Sequence, residues 1–171
     1  MSGGIDSSVA ATLLKKEGFE VVGAFMKLAN LPNFKEGQKR AEKIAKILKI
    51  PFLVFDLEKE FKKKIIDYFL KEYKAGNTPN PCVLCNKEIK FGFMLEKAMK
   101  LGIDLIATGH YARIKGVKEI KLLRAKDKRK DQSYFLWMLN QEQLKRIVFP
   151  IGNYTREEVE NLARKFKLPI L

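Results

Sequence analysis

The first residues of the chain, MSGGIDSS, combine residue types that could hold an anion. Two adjacent glycines permit positive φ and close approach of a ligand to the backbone, and Asp6, Ser7 and Ser8 have side chains that cap helices. An apolar periodic run follows and ends at Gly18, so a helix is predicted to begin here. Its free N–H groups and its dipole could bind a phosphate. The spacing is neither a Walker A loop nor G-x-G-x-x-G, and a flexible N-terminus with linker glycines is the alternative.

A second chemical motif is the C-x-x-C pair of Cys82 and Cys85, in a stretch whose prolines and asparagines predict a loop. Such a pair could be a redox dithiol, half of a zinc site or part of an iron–sulfur site. The sequence has no other cysteine and one histidine, His110, so a closed four-ligand zinc site is not expected. A pair of buried structural thiols is the remaining alternative, and the polar surroundings disfavour it.

The charge of the chain indicates a polyanionic partner. Its 171 residues include 34 Lys and Arg but 20 Asp and Glu, a net charge of +14, which suits nucleic acid. A lysine-rich protein of a warm-growing organism is the alternative, although its charges should be more balanced. A hydrophobic content of 46%, with 11% aromatic residues, argues against disorder. No apolar run reaches membrane-spanning length and no signal peptide is recognisable, so a cytoplasmic protein without a membrane partner is expected.

The elements that must position these residues alternate between strand and helix. Strands are predicted at 20–28, 51–57 and 103–110, and helices at 36–50, 58–76 and 87–102. The inward side of the second of these helices should consist of Phe61, Ile65, Tyr68 and Phe69. Such alternation predicts an α/β fold with a doubly wound, mostly parallel, Rossmann-like sheet, in which ligands bind at the carboxyl ends of the strands.

The C-terminal part changes character. A hairpin is predicted after residue 110, followed by a basic loop at 126–132 and a helix at 131–147. Thr155 and Glu158 have the spacing of a capping box, which predicts the start of a last helix.

The stretch SGGIDSS resembles the PP-loop of the N-type ATP pyrophosphatases, which cleave ATP between its α- and β-phosphates and form an adenylated substrate. Three more stretches, GNTPNPCVLCNKEIKFG, ATGHYAR and KDQSYFL, resemble the tRNA-uridine 2-sulfurtransferases, also called tRNA-specific 2-thiouridylases. The resemblance implies an adenine nucleotide alpha hydrolase-like fold and ATP-dependent 2-thiolation of the wobble uridine of tRNA. A non-catalytic nucleotide- and RNA-binding module and another PP-loop adenylating ligase are the alternatives.

The resemblance also implies a division of the chain. Residues 1–110 correspond to the PP-loop ATP pyrophosphatase domain without its first strand, and residues 111–171 to the start of a tRNA-contacting extension. Members of the family continue into a second catalytic cysteine and small β-domains. The sequence is therefore expected to be truncated at both ends, and inactive in thiolation by itself.

For ATP, the resemblance assigns a phosphate cradle, an adenine contact and a close-approach glycine. The assigned residues are Ser2, Gly3, Gly4, Ile5, Asp6, Ser7, Met26 and Gly109. Asp6 is suited to orient Mg²⁺. From spacing alone, Met26 could equally be a core residue and Gly109 an ordinary turn glycine.

For sulfur transfer, the resemblance makes Cys85 the nucleophile and Cys82 a second catalytic candidate, at a position where many members carry Asp. Two mechanisms are open: a persulfide on Cys85, or a [4Fe–4S] cluster with Cys82 and Cys85 as ligands and a third cysteine beyond the sequence. Sulfur would come from a desulfurase or a sulfur-carrier protein.

For tRNA, the implied contacts are Asn80, Pro81 and Cys82 at the base, and Lys130, Asp131 and Gln132 in the basic loop. A charge run is usually solvated surface, which is the alternative for this loop. His110 could act as a general base, but a structural hydrogen-bonding role beside the nucleotide is preferred.

Overall fold

The computed structural model describes residues 1–169; residues 170 and 171, the end of the proposed extension 111–171, lie outside the described residues. The helices are α1 Ile5–Lys16, α2 Pro32–Leu48, α3 Glu58–Phe61, α4 Asp67–Lys74, α5 Pro81–Leu84, α6 Met94–Lys100, α7 Gln141–Leu144 and α8 Arg156–Lys165. The strands are β1 Gly23–Lys27, β2 Phe52–Asp56, β3 Ile106–Ala107, β4 Ala112–Lys115, β5 Lys121–Arg124 and β6 Ile147–Val148.

The strand pairing is mostly parallel. β1 and β2 are parallel neighbours, with α2 as the crossover between them, and β3 and β6 form a second parallel pair. β4 and β5 form an antiparallel hairpin. The strands thus form three two-stranded sheets. The prediction of an α/β fold with mostly parallel strands is confirmed, as is the hairpin.

Helix α1 begins differently from the prediction. Gly4 occupies the N-cap position with extended backbone, and among the described residues no side chain caps the helix. Asp6, Ser7 and Ser8 lie inside the first turn, so their prediction as caps is wrong. Glycine is itself an accepted N-cap residue, and the Ser7 and Ser8 hydroxyls donate back to the Gly4 carbonyl.

The C-x-x-C pair lies in a helix, which corrects the prediction of a loop. A helical segment runs from 81 to 100 and includes π-helical turns at Cys85–Phe93. It starts at Pro81, which takes the first helical position, and the Asn80 side chain caps it by accepting a hydrogen bond from the Cys82 N–H. Both cysteines therefore have fixed backbone positions.

The preceding helical segment, 58–74, also contains π-helical turns, at Lys62–Ile66. Ile65 is buried as predicted, but Tyr68 is 39% exposed, so its inward placement is wrong. A π-turn inserts an extra residue into the helical period and rotates the following side chains away from the predicted face.

The predicted helix at 131–147 is also wrong. A 3₁₀ turn at Ser133–Phe135 is followed by α7, and the segment ends in β6, which pairs with β3. A complete capping box of Asn140 and Gln143 starts a new helix in the middle of the predicted one. The capping box of Thr155 and Glu158 starts α8 as predicted.

Two buried clusters form the core. The larger lies between the helices 58–74 and 81–100 and strands β2, β3 and β6. The smaller joins α1 to α8 through residues such as Val9, Leu13, Val159 and Ala163. The start of α8 is thereby placed beside the start of α1. No helix within residues 1–169 is long and apolar enough to cross a bilayer.

Candidate nucleotide and thiol site

The glycine-rich loop is fitted tightly against α2. Gly3 has a φ of 78°, and a Cβ there would lie 2.7 Å from the Gly37 carbonyl oxygen and 2.8 Å from the Arg40 Cβ. Any other residue would be strained by its backbone conformation and would also collide with α2. Gly3 is therefore required by packing, which fixes the loop in front of α1.

Hydroxyl groups and N–H groups converge on this loop. The Ser2 N–H donates to Ser7 Oγ at 3.2 Å, and the two serine hydroxyls lie 3.3 Å apart. Ile5 opens α1 and packs against the smaller cluster. The N–H groups of this first turn have no intrahelical acceptor, so the loop offers donors and a positive dipole end to an anion.

Asp6, in the first turn of α1, is bonded to two residues that sequence reasoning missed. Its Oδ1 accepts from the Tyr111 hydroxyl at 3.0 Å and from Arg156 Nη1 at 2.8 Å. Burial, and then the Asp6 carboxylate, raises the pKa of Tyr111, which keeps its hydroxyl a donor. The capping box predicts where α8 starts, but nothing in the spacing predicts that α8 packs on α1.

The end of strand β3 approaches the same turn. A Cβ on Gly109 would lie 2.7 Å from the Asp6 carbonyl carbon and from the Ser7 nitrogen. Gly109 is thus needed for contact between this strand end and α1. Met26 is half-buried near the end of β1, paired with Phe55 and packed against the larger cluster.

The two thiols differ in environment. Cys82 is exposed and Cys85 is half-buried, and both are free. Burial raises the pKa of Cys85, whereas the nearby charge of Lys90 lowers it. Cys85 and Lys90 are five positions apart within one π-helical stretch. The i to i+5 repeat of a π-helix brings such residues to the same side of the helix.

Lys90 connects the helical segment 81–100 to the residues that follow β3. Its ammonium donates to Asn86 Oδ1 at 2.9 Å and lies 3.3 Å from His110 Nε2. Burial lowers the pKa of Lys90. Within residues 1–169 it forms no salt bridge with a carboxylate, so an anion at this position would be favoured by an uncompensated charge.

His110 is held by hydrogen bonds and aromatic packing. Its Nδ1 lies 2.8 Å from the Thr108 hydroxyl, and its ring packs near Phe91 and Phe149. Burial, and then the Lys90 charge, lowers its pKa to about 3. A neutral, fully engaged imidazole supports the structural role over that of a general base. Because His110 follows Gly109, it also joins the thiol helix to the α1 turn.

This burial predicts an acid-sensitive stability. Below pH 6.5 the unfolded chain binds a proton at His110 that the folded protein does not, so stability should fall as the pH drops toward 3. We expect the Tm to decrease by roughly 3 °C per pH unit below 6.5, measured by thermal unfolding between pH 7.5 and 5. His110 is the only histidine in the sequence. His110→Gln, which keeps a polar group at this position, should make the Tm nearly independent of pH in this range. An unchanged slope of Tm against pH would show that His110 is not the titrating group.

Hydrogen bonds from its own residues hold the basic loop in place. Asp131 accepts from the Ala125 N–H at 2.9 Å and from the Ser133 hydroxyl at 2.8 Å. Gln132 exchanges hydrogen bonds with the Tyr111 backbone in both directions. Lys128, Arg129 and Lys130 are exposed. Of the predicted tRNA contacts in the loop, Lys130 thus faces solvent, while Asp131 and Gln132 have structural bonds.

A metal cluster has little support from the described part of the chain. No group of three or more His, Cys, Asp or Glu side chains within residues 1–169 is arranged to hold a metal ion. Two thiolates fill half of the usual coordination of a [4Fe–4S] cluster. These residues do not by themselves fit that group.

Proteins with similar sequences carry the name of a tRNA-modifying enzyme. A tRNA-specific 2-thiouridylase MnmA of Caldicellulosiruptor saccharolyticus is 46% identical over 99% of this chain and 51% of its own length. The one from Syntrophomonas wolfei is 48% identical over 99% of this chain and 50% of its own length. The chain thus spans about half the length of these curated relatives.

A solved structure shares the fold. A predicted subunit of tRNA methyltransferase from Methanocaldococcus jannaschii aligns with 96% of this chain and 73% of its own, with a TM-score of 0.54 and 21% identity. The sequence profile of a family described as the tRNA methyl transferase HUP domain matches residues 1–171. Because this profile matches the whole length of the chain, the chain belongs to the tRNA methyl transferase HUP domain family.

Proposed function

We propose that this protein provides the ATP- and tRNA-binding part of an enzyme that 2-thiolates the wobble uridine of tRNA. The observation that carries the proposal is the identity of 46–48% to two relatives with that name, extending through both the glycine-rich loop and the thiol helix. The geometry supports it, because Gly109 packs on the first turn of α1 and the next residue, His110, contacts Lys90 on the helical segment that carries both cysteines. Modification of tRNA is consistent with a cytoplasmic location.

ATP would bind with its phosphates at the N-terminus of α1. The hydroxyls of Ser2 and Ser7 and the first-turn N–H groups are the donors, while Met26 lies on the strand expected to face the adenine. Both hydrogen bonds to Asp6 go to Oδ1, and within residues 1–169 none goes to Oδ2. That oxygen could therefore ligate Mg²⁺, a cation that prefers carboxylate oxygen.

The reaction would use ATP to activate the C2 oxygen of uridine. This oxygen attacks the α-phosphorus and pyrophosphate leaves, so that the oxygen becomes part of an AMP leaving group. The terminal sulfur of a Cys85 persulfide then attacks C2 and AMP departs. A second thiol attacks the Cys85 sulfur, forms a protein disulfide and releases 2-thiouridine. The uridine must leave its stack to be reached, and the exposed start of α5 at Asn80, Pro81 and Cys82 is the proposed contact.

Cys82 would be an auxiliary thiol in this pocket. The proposed reaction steps follow the persulfide route. No step is assigned to a cluster, because Cys82 and Cys85 supply only two of the thiolates that a [4Fe–4S] cluster usually has. A desulfurase or a sulfur-carrier protein would supply the sulfur, which requires Cys85 to be accessible to a partner.

The division into an ATP-binding part, 1–110, and a tRNA-contacting part, 111–171, is retained as a functional proposal. The two parts share bonds: β6 pairs with β3, and Arg156 binds Asp6. Contacts to tRNA in the second part could therefore affect the nucleotide cradle in the first.

The test is product analysis with the complete enzyme. Incubation with a tRNA transcript, ATP, Mg²⁺, a cysteine desulfurase with cysteine as the persulfide donor, and a thiol reductant that reopens the protein disulfide should give 2-thiouridine, measured by nucleoside mass spectrometry, and pyrophosphate. Adenylation of free amino or keto acids instead of tRNA would favour another PP-loop ligase. Binding of ATP and tRNA without turnover would favour a non-catalytic module.

Binding of tRNA is expected to weaken steeply with salt, because lysines that neutralise phosphates release counterions. Lys128→Ala and Lys130→Ala should each reduce the slope of log K against log salt by about 1, measured by fluorescence anisotropy of labelled tRNA. Lys43→Ala on α2 removes an equal charge from an exposed position outside the loop and is the control. An equal effect of all three variants would argue for net charge rather than the loop.

A further inference from the structure

Two large aromatic side chains beside the basic loop face solvent. Tyr134 is 57% exposed and Trp137 is 68% exposed, although tryptophan is highly buried on average. The Tyr134 ring lies 4.0 Å from that of Phe135, and within residues 1–169 Trp137 pairs with no other ring. The exposed faces of both side chains are therefore available to a partner.

The backbone that carries them is fixed. Leu136 and Leu139 are 1% and 8% exposed and hold the segment to the larger cluster. Tyr134 lies in a 3₁₀ turn, and successive turns follow through Leu139. Leu136 and Leu139 are buried while Tyr134 and Trp137 are exposed, each pair three residues apart, so the two exposed rings have a rigid base.

This segment is attached to the thiol helix. Asn86, the residue after Cys85, donates from Nδ2 to the Phe135 carbonyl at 3.4 Å, and the 3₁₀ turn is in contact with α5. At its other end, the segment follows Lys128, Arg129 and Lys130 directly, joined through the bond between Ser133 and Asp131. The aromatic pair thus lies between a cationic loop and the helix of the candidate nucleophile.

We propose that Tyr134 and Trp137 form a stacking platform for unpaired bases of RNA. The proposal rests on the tRNA substrate proposed above and adds to it the residues that hold bases near Cys85. A cationic stretch that binds the backbone, next to aromatic side chains that stack on bases, is the usual combination for single-stranded nucleic acid. Bases in loops can be unstacked onto aromatic side chains, whereas those of a duplex cannot.

A protein partner is less well supported. The platform is flanked by positive charge and the chain carries a net charge of +14, which complements a phosphate backbone. A base that neighbours the flipped uridine would then stack on Trp137, and the loop lysines would contact its phosphates.

The experiment combines binding with tryptophan fluorescence in the complete protein. The Trp137 signal is the emission difference between the protein and Trp137→Phe, and it should be quenched as a tRNA anticodon stem-loop is added.

Trp137→Ala should weaken RNA binding about 5- to 150-fold, the range of one stacked base, and Trp137→Phe should weaken it much less. Trp137→Leu, which retains apolar volume without a π-face, should resemble alanine. Tyr73→Ala, at an aromatic residue of α4 that is 67% exposed, should leave the affinity unchanged.

Several outcomes would overturn the proposal. If Trp137 is not quenched at saturating RNA, or if Trp137→Ala binds RNA with full affinity, then Trp137 does not stack on bases, although the protein still binds RNA. Full affinity in Trp137→Leu shows an apolar contact instead of stacking. Protection of Trp137 from iodide in the free protein shows that another segment covers it. If the unmodified protein binds no RNA at all, the proposed function itself fails. Thermal unfolding of each variant identifies any loss of fold.

Discussion

Asp6→Asn is expected to reduce pyrophosphate release from ATP and tRNA by at least about 100-fold in the complete enzyme. The substitution keeps the size of the side chain but removes the charge that would hold Mg²⁺ beside the phosphates, and losses of this size are typical when one group that stabilises transition-state charge is removed. The measurement is pyrophosphate release in a single turnover with saturating tRNA.

Asp6 also has a structural role, which the controls must separate. Arg156→Met breaks the 2.8 Å bond to Asp6 but retains the carboxylate, and Tyr111→Phe removes only the 3.0 Å hydroxyl bond. The Asp6 and Arg156 side chains are 36% and 33% exposed, so a pair of this kind contributes about 1 kcal/mol or less to stability. If Arg156→Met reduced adenylation as strongly as Asp6→Asn, the ion pair rather than metal or phosphate binding would explain the result.

Cys85→Ser is expected to abolish 2-thiouridine formation while pyrophosphate release continues. A serine hydroxyl cannot carry a persulfide, so sulfur transfer stops, whereas the proposed adenylation site on α1 lies on a different element. We expect a loss of at least about 10³-fold in thiolation, as for removal of a covalent nucleophile. The two half-reactions are measured in the same samples by nucleoside mass spectrometry and pyrophosphate assay.

Cys82 provides the matched control, three residues earlier on the same helical segment. In the persulfide route Cys82→Asp should be nearly as active as the parent, and iron should be dispensable. In a cluster route both cysteine variants should lose iron and activity together, as shown by iron counting and absorption spectra after anaerobic reconstitution. A Cys85→Ser protein that still thiolates would exclude Cys85 as the nucleophile.

The local features of the site were predictable from short-range patterns. The start of α1 and the cap at Thr155 depend on residues within a few positions of each other, and the sequence identified both helix starts to within a few residues. The helical position of the thiols was missed because Pro81 was interpreted as a loop residue, although proline is also favoured in a first helical turn.

The interactions that assemble the site were not predictable. The bond between Asp6 and Arg156 depends on how α8 packs on α1, and the proximity of Lys90 to His110 depends on the position of the thiol helix against β3. A strand as short as Ile147–Val148 could not be predicted either, because two residues give almost no periodic signal. It is a strand because it pairs with β3.

The bond between Asp6 and Arg156 also has a consequence for biosynthesis. The two residues are 150 positions apart, and the first turn of α1 acquires this partner only after α8 has been translated. At the usual elongation rate this takes roughly 8 to 30 s. During that interval the nascent chain has the helix that would bind phosphate but not the arginine that anchors its carboxylate. The proposed nucleotide cradle is therefore completed late, by a contact of very high sequence separation, and contacts of this kind slow folding.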